Sequence, residues 1–157
     1  MEISLDSVDL QILNIMQSNA KIANVELARQ LEMAPSAVLE RVKKLEQKEV
    51  IRGYTTRIDP TAVQQKLLAF IFIKAADGMG SSETAKAIAQ IPEVQEVHHI
   101  AGEDCFLIKI RTADSAGLMN VMRTQLSNIP RIVSTRTTIV LETVKEENTI
   151  MISKQPF

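Results

Sequence analysis

The sequence predicts an α+β protein built in two parts of different construction. In the first sixty residues, apolar side chains recur at helical spacing in three short segments. Beyond residue 63, apolar runs of strand length alternate with two helical segments in the order β-α-β-β-α-β. This is the order of the split βαβ, or ferredoxin-like, fold, so we expect a small helical domain followed by a ferredoxin-like domain.

Composition narrows the class of protein. The chain has 157 residues, 45% of them hydrophobic, which suffices for one ordinary domain or two small ones. No apolar run approaches the roughly 18 residues of a membrane span, and the start MEISLDSVD lacks the regions of a signal peptide. We therefore expect a cytoplasmic protein with no membrane partner. A single cysteine excludes an internal disulfide framework, and 3% aromatic residues argue against a platform for stacking single-stranded bases.

Three short helices are predicted for the first part. Asp6 and Asn24 are suited to cap the first two helices, and Pro35 suits the first turn of the third. The third helix carries one apolar stripe, made of Val38, Val42 and Leu45. The short turn at residues 32–34 is typical of a helix-turn-helix, and the β-branched segment 50–57 (VIRGYTTR) predicts a following strand, as in a winged-helix-like domain.

The second part begins after the break at Asp59-Pro60. Strands are predicted at 67–76, 94–101, 106–112 and 132–144, with Gly78 and Gly80 ending the first. Residues 82–90 form the first predicted helix. Asp114 caps the second, whose inward residues are Leu118, Val121, Met122 and Leu126. A weak repeat, AIAQIPEV and QLSNIPRI, runs from helix through Ile-Pro to strand in both halves.

These boundaries divide the chain into four segments. We expect a helix-turn-helix domain at 1–50, a strand linker at 51–62, the ferredoxin-like domain at 63–147 and a tail at 148–157. The tail is either an extra strand or a disordered end, and its sequence does not separate the two.

Positive charge is concentrated in one short stretch of a nearly neutral chain. The net charge is −1, but residues 41–57 hold six basic and two acidic residues, a balance of +4. Residues 1–40 hold two basic and six acidic residues, a balance of −4. Such a distribution can steer an anionic partner to one face.

The third helix offers a candidate DNA-binding face. Helical spacing places a polar set opposite the apolar stripe, namely Ser36, Glu40, Lys43, Lys44 and Gln47, with Leu39 and Arg41 on its flanks. A recognition helix needs cations for phosphates and short polar groups for base edges. A solvated lysine-rich helix end, favoured by the helix dipole, fits the spacing equally well. Glu40 and Lys44 stand at i and i+4, which favours an ion pair between them.

The second part offers a candidate small-molecule loop. Gly102-Glu103-Asp104 reads first as a hairpin turn, but a Gly-containing loop rimmed by acids can also hold an ammonium group. A competing interpretation is a metal- or redox-responsive regulator using His98, His99, Asp104 and Cys105. Adjacent strand residues point to opposite faces, so the two histidines do not readily serve one site. No nucleophile and base stand at useful spacing, so we expect no catalytic residues, no enzyme activity, no cofactor and no metal.

Two stretches resemble one family closely. The segment LDSVDLQILNIMQSNAKIANVELARQLEMAPSAVLERVKKLEQKEVIRGYTTRIDP and the later AGEDCFLIKIR are similar to the Lrp/AsnC family, the leucine-responsive or feast/famine transcription regulators of bacteria and archaea. The resemblance covers about residues 5–147. It implies a DNA-binding helix-turn-helix domain, a strand linker and a ferredoxin-like ligand-binding domain. It also implies dimers formed through the second domain's sheets, octamers of such dimers, and an amino acid or related metabolite bound between dimers.

Carried onto this sequence, the resemblance names two sets of residues. The recognition helix would run from Pro35 to Gln47. Its candidate contacts to double-stranded DNA are Ser36, Leu39, Glu40, Arg41, Lys43, Lys44 and Gln47. The candidate effector-binding loop comprises Ala101, Gly102, Glu103, Asp104 and Cys105, running up to Phe106. We therefore expect a sequence-specific transcription regulator modulated by a small molecule, most simply an amino acid. A metabolite-binding module without a DNA role is the more distant alternative.

The sequence departs from the family pattern at three positions. Ala34 stands where many members have a capping Ser, and Glu49 where many have Gly. Many members also carry an Asp three residues after the loop Gly, where this chain has Cys105, while its own Asp104 comes one position earlier. One position reverses the direction of a side chain in an extended segment, so the effector specificity of relatives is not carried over.

Overall fold

The computed structural model describes residues 4–76 and 82–153. Contacts divide the chain into two units, one running to Thr56 and resuming at Lys145, the other running from Arg57 to Val144. Gly78 and Gly80, expected to end the first strand of the second unit, lie outside the described residues. No helix in the described part of the chain is long and apolar enough to cross a membrane.

The first unit contains the three expected helices: α1 (Ser7–Ser18), α2 (Asn24–Gln30) and α3 (Pro35–Gln47). The predicted cap of α1 is confirmed, because Asp6 Oδ1 accepts a hydrogen bond from the Asp9 N–H at 2.8 Å. Asp9 Oδ2 accepts the Asp6 N–H in return at 3.2 Å, which completes a capping box. The predicted cap of α2 is wrong. Asn24 is already the first helical residue, and Ala23 occupies the cap without a side-chain bond.

The helix α3 begins as predicted, with Pro35 in its first turn and Ala34 at a cap position that makes no side-chain bond. Its apolar stripe is confirmed: Val38, Val42 and Leu45 are all buried. They pack in one cluster with Ile12 of α1 and with Leu27 and Ala28 of α2. Burying one such Val or Leu side chain contributes roughly 1.5–3 kcal/mol, so the stripe fixes which face of α3 is left for solvent.

The helices α2 and α3 end in two turns of the same type, each with a glutamate in the left-handed region. Glu32 has φ 53° and Glu49 has φ 56°. After α3, the Glu49 N–H donates to the Glu46 carbonyl at 2.9 Å and the Val50 N–H donates to the Leu45 carbonyl at 3.0 Å. This is the Schellman arrangement, whose left-handed position is usually glycine. A glycine at position 49 would adopt this conformation without the steric cost that the Glu49 side chain meets.

The strand predicted for 50–57 is wrong. These residues carry no strand pairing in the described chain, although Val50 and Ile51 pack against the cluster of the first unit. Their β-branched content favours an extended backbone, but a strand also needs a hydrogen-bonded neighbour, and the described part of this chain supplies none. Tyr54 anchors the segment by donating its hydroxyl hydrogen to Glu46 Oε1 at 2.7 Å.

The second unit has the predicted βαββαβ order. Its elements are β1 (Leu67–Ala75), α4 (Glu83–Ala89), β2 (Val94–His99), β3 (Phe106–Thr112), α5 (Ser115–Thr124), a 3₁₀ turn (Leu126–Asn128) and β4 (Ile132–Ile139). The four strands form one antiparallel sheet in the order β2-β3-β1-β4. This confirms the ferredoxin-like topology. The strand β2 ends two residues, and β4 five residues, before the predicted limits of 101 and 144.

One face of the sheet forms the core of the second unit. Alternate residues of β1 and β3, among them Ile71 and Ile108, are fully buried against α4 and α5. Asp114 caps α5 as predicted, accepting the Gly117 N–H at 2.8 Å. Of the inward residues predicted for this helical region, Leu118, Val121 and Leu126 are buried and Met122 is partly buried.

The opposite face of the sheet, called the second face below, is composed differently. It carries Phe70, Phe72, Leu107, Lys109 and Arg136, which alternate with the core residues along their strands. In the strand register, Phe72 pairs with Leu107 on one side and with Arg136 on the other. A row of side chains therefore crosses the sheet at this level.

The tail returns to the first unit. Residues 145–153 contain no regular secondary structure, so the extra strand considered for the tail is not formed in its described part. The Gln17 side chain of α1 holds the segment at Ile150, with the amide nitrogen donating to the Ile150 carbonyl at 3.1 Å and the amide oxygen accepting its N–H at 2.7 Å.

Candidate DNA-binding helix and effector loop

The polar face predicted for α3 is presented to solvent. Six of the candidate DNA contacts are exposed: Ser36, Leu39, Glu40, Lys43, Lys44 and Gln47. They are exposed because the stripe on the other side of the helix is held in the core. The arrangement combines a short hydroxyl in the first turn with cations further along, which suits contacts to base edges and phosphates respectively.

Glu40 and Lys44 form the ion pair that their spacing predicts. Lys44 Nζ lies 2.7 Å from Glu40 Oε1, and both side chains are largely exposed. The hydrogen bond from Lys44 lowers the pKa of Glu40. The acid on this face is therefore accompanied by a cation, whereas Lys43 stands beside the pair without an ion-pair partner among the described residues. An exposed pair contributes little to stability, so both side chains can rearrange around a ligand.

Arg41 has partners that sequence reasoning missed. Its Nη1 lies 2.7 Å from Asp6 Oδ2 and 2.8 Å from Asp9 Oδ1, at the start of α1. The Arg41 side chain is 31% exposed and that of Asp9 only 16%. The Asp9 N–H bond and the Arg41 hydrogen bond lower the pKa of Asp6. The arginine predicted as a DNA contact thus connects α3 to the capping box of α1 through two ion pairs. The two acids of that box were the only sequence signal for this pairing.

The candidate effector loop connects β2 and β3 and is anchored to β1. The Cys105 N–H donates to the Ile73 carbonyl at 2.8 Å, and Cys105 Sγ lies 3.4 Å from the Ala75 carbonyl oxygen. Gly102 has φ +151°, a conformation that a side chain would strain. Ala101, Gly102 and Glu103 are exposed, while Asp104 and Cys105 are half-buried. The loop is therefore open at its tip and held at its base.

Asp104 is held by an arginine from the far strand of the sheet. Arg136 Nη2 donates to Asp104 Oδ2 at 3.0 Å, and the Arg136 guanidinium carbon lies 4.2 Å from the centre of the Phe72 ring. Sequence reasoning did not single out Arg136, because the pair spans 32 positions. Only the register between β1 and β4, which sets Arg136 opposite Phe72, brings the arginine to the loop.

The residues of the metal or redox alternative have separate partners. His98 Nε2 lies 3.2 Å from Glu96 Oε2, and the His99 ring lies 5.0 Å from the Phe106 ring. Cys105 bonds to the Ala75 backbone, and Asp104 bonds to Arg136. Across residues 4–76 and 82–153, no group of three or more His, Cys, Asp or Glu side chains is placed to hold a metal ion.

Comparison with known proteins matches both units. Residues 5–52 match the winged helix-turn-helix DNA-binding model, and residues 68–150 match the Lrp/AsnC ligand-binding domain model. The leucine-responsive regulatory protein of Haemophilus influenzae is 36% identical over 151 residues, which cover 95% of this chain and 91% of that protein. Its Escherichia coli K12 counterpart is 33% identical over 94% of this chain and 92% of its own length.

Solved structures agree over nearly the whole chain. Escherichia coli AsnC superposes with a TM-score of 0.85 at 26% identity, covering 94% of this chain and 99% of that one. A feast or famine regulatory protein from Mycobacterium tuberculosis, complexed with L-methionine, gives a TM-score of 0.87 at 28% identity, covering 96% and 100%. A Neisseria meningitidis transcriptional regulator, also complexed with L-methionine, gives 0.87 at 26% identity, covering 94% and 97%. The chain belongs to the Lrp/AsnC family of transcription regulators.

Proposed function

We propose that this protein binds double-stranded DNA through α3 and responds to a free amino acid bound at the loop 101–105. The observation that supports the DNA role is the exposed polar face of α3 within a helix-turn-helix unit. In this proposal the protein binds its partners and catalyses no reaction. It acts in the cytoplasm, where the DNA that it regulates is found. Neither a metal nor a cofactor has a role in this function.

In this proposal α3 enters the major groove. Ser36, in its first turn, reaches base edges, and Leu39 offers apolar contact to a thymine methyl group. Lys43 and Lys44 neutralise phosphates, which fixes the position of the helix without reading sequence. Glu40 stays paired with Lys44 or accepts a hydrogen bond from cytosine.

Self-association supplies the rest of the affinity. The second face of the sheet exposes parts of Phe70, Phe72 and Leu107, an apolar patch suited to a second copy of the chain. Two-fold symmetry would set two α3 helices on half-sites about one helical turn, or a multiple of it, apart. Assembly of dimers into an octamer would multiply few contacts per chain into tight binding.

The effector role rests on the loop and on the relatives. Two structural relatives are complexed with L-methionine, and the loop of this chain has a glycine in a conformation that a side chain would strain, two residues before the half-buried Asp104. An amino acid bound between dimers would change their packing and so the spacing of the DNA-binding units.

The DNA role is tested by replacing Lys43 and Lys44 together with alanine. We expect weaker binding to all DNA sequences, because phosphate contacts carry no sequence information. The slope of log K against log salt should decrease by about 0.9 for each phosphate that the variant no longer neutralises. Gel-shift titration at several salt concentrations, using fragments selected by the wild-type protein, measures both quantities.

A matched control variant loses the same two positive charges, but from a different part of the protein. The variant with Lys66→Ala and Lys86→Ala also removes two exposed lysines, but from the second unit. It should bind DNA as the wild type does. If the Lys43 and Lys44 variant had the DNA affinity and the salt slope of the wild type, α3 would not be the DNA-binding helix.

A further inference from the structure

Arg41 and the capping box of α1 form one closed set of hydrogen bonds, in which each carboxylate oxygen of the box has a partner. Asp6 Oδ1 accepts the Asp9 N–H, and Asp9 Oδ2 accepts the Asp6 N–H. The two remaining oxygens, Asp6 Oδ2 and Asp9 Oδ1, both accept hydrogen bonds from Arg41 Nη1, at 2.7 and 2.8 Å. One nitrogen of α3 is therefore held between two acids that the first turn of α1 keeps in place.

These bonds keep Arg41 away from the polar face of α3. At about 100° per residue, Arg41 points about 140° away from Ser36 and about 160° away from Lys43. The Arg41 side chain is half-buried, whereas Ser36 and Lys43 are exposed. Two carboxylates at close range also balance the positive charge of Arg41, so this side of α3 does not attract a phosphate.

We propose that Arg41 is a positioning residue for DNA recognition, which holds α3 at a fixed rotation against α1 and makes no contact to DNA itself. This inference rests on the proposed DNA role of α3 and adds to it the bonds that orient the helix. In place of the DNA contact predicted for Arg41 from the sequence, it gives this residue a role within the protein. Lys43 and Lys44 keep their proposed phosphate contacts.

Apolar packing needs such an addition, because hydrophobic contact has no preferred direction. The stripe of Val38, Val42 and Leu45 determines which face of α3 is turned to solvent. It leaves small rotations and shifts of the helix open, and the cap at Ala34 makes no side-chain bond that would fix the start of the helix. Charge-assisted hydrogen bonds are short and directional, so those of Arg41 fix the helix about midway along its length. Hydrogen bonds to base edges require this precision, since they weaken steeply when their geometry is lost.

A positioning residue and a phosphate contact differ in which DNA sequences they affect. A phosphate contact strengthens binding to every sequence and adds to its salt dependence. A residue that orients the helix acts on the base contacts, so its loss lowers affinity for the preferred sequence and leaves binding to other sequences unchanged. Loss of stability alone affects neither quantity as long as the protein is folded.

The test measures binding to two DNA fragments, one selected by the wild-type protein and one with the same bases in scrambled order. In Arg41→Ala, affinity for the selected fragment should fall about tenfold, the order of loss expected when one base contact is misplaced. Affinity for the scrambled fragment and the slope of log K against log salt should stay as in the wild type. Arg123→Ala removes an exposed arginine from α5 and should bind both fragments as the wild type does. Circular dichroism at the assay temperature verifies that each variant is folded.

Asp9→Asn predicts opposite results for the two roles. The substitution removes a negative charge next to α3, so it should tighten binding if Arg41 were a phosphate contact that the acids hold back. The carboxamide has one oxygen, which cannot serve both the Asp6 N–H and Arg41. We therefore expect affinity for the selected fragment to fall, as in Arg41→Ala. The double variant should bind no more weakly than Arg41→Ala, because both substitutions break the same bonds. If Arg41→Ala does not fold, Asp9→Asn decides alone.

The outcomes separate this inference from the DNA role on which it rests. If Arg41→Ala binds both fragments more weakly and its salt slope decreases by about 0.9, Arg41 is a phosphate contact and the inference is overturned. Unchanged affinity for the selected fragment, or tighter binding by Asp9→Asn, overturns it as well. In each of these cases α3 stays the DNA-binding helix, since that role is tested by the variant of Lys43 and Lys44. If the latter binds DNA as the wild type does, both proposals are overturned. A loss confined to the selected fragment in Arg41→Ala and Asp9→Asn, with Arg123→Ala unchanged, supports the positioning role.

Discussion

Replacing Arg41 with alanine should destabilise the first unit, because this residue ties α3 to the start of α1. The substitution removes two bonds, at 2.7 Å to Asp6 and 2.8 Å to Asp9. A hydrogen bond to a charged group contributes roughly 1.5–3 kcal/mol when sheltered, and an exposed ion pair roughly 0–1 kcal/mol. Since Arg41 is about one-third exposed, both bonds together should contribute about 1–2 kcal/mol.

Urea unfolding followed by circular dichroism at pH 7 measures this loss on the full chain. Asp9→Asn, which keeps a side-chain oxygen for the capping box, should lose part of the same free energy. Arg29→Ala is the control, because Arg29 pairs with Glu26 within α2 and its side chain is 74% exposed, against 31% for Arg41. It should change the unfolding free energy less than Arg41→Ala does.

Lowering the pH should reduce the difference in unfolding free energy between the wild type and Arg41→Ala. The folded-state pKa of Asp6 lies below its ordinary value of 3.8, because the Asp9 N–H and Arg41 favour its charged form. A depressed carboxyl pKa contributes stability above the unfolded-state pKa, and that stability is lost as the pH falls through the folded-state value. The unfolding free energies of the two proteins should therefore show their full difference at pH 6 and a smaller one near pH 3. Equal unfolding free energies at pH 7, or a difference that is unchanged at pH 3, would refute the stabilising role of the Arg41 ion pairs.

Three further predictions follow from single residues. Glu49→Gly should stabilise the first unit by about 0.5–1 kcal/mol, because the relief of a left-handed glutamate exceeds the added entropy of the unfolded chain. Lys48→Gly is the control and should not stabilise it, because Lys48 has a negative φ of −84°. Tyr54 is the only tyrosine, so an ultraviolet titration reports its pKa alone. Burial, and after it the hydrogen bond to Glu46, raises the pKa of Tyr54 to about 12. Glu46→Gln should lower this pKa. A pKa near 10 in the wild type would contradict the contact between Tyr54 and Glu46. Asp104→Ala should abolish any effector-induced change in oligomer size in sedimentation, and a normal response would place the effector elsewhere.

Features set by neighbouring residues were predictable from the sequence. The stripe of Val38, Val42 and Leu45 follows from helical spacing, and the caps Asp6 and Asp114 follow from short polar groups placed just before apolar periodic segments. The βαββαβ order also follows from local patterns, because each strand and helix has its own apolar period. The sheet order then follows from the topology.

Features that depend on distant partners were not predictable. The segment 50–57 has the composition of a strand, but composition does not supply a neighbouring strand. The helix face predicts Arg41 as a DNA contact, which stays a prediction, but it does not predict the two acidic partners of Arg41, which lie at least 32 positions earlier. Asn24 was placed at a cap because its side chain suits one, although the Ala23 carbonyl accepts the first helical hydrogen bond.

The position of the loop acid shows how a shift of one residue changes the chemistry of the site. Cys105, at the position where many relatives have Asp, turns towards the backbone of β1 and bonds at Ala75. Asp104, one position earlier, turns instead to Arg136 beside Phe72 on the second face. Because neighbouring residues of an extended segment point in opposite directions, the acid of this loop meets a cation from β4, whereas an acid at position 105 would face the Ala75 carbonyl oxygen. The position of the acid therefore decides whether the loop is bonded to β4 through a side chain or only to the backbone of β1.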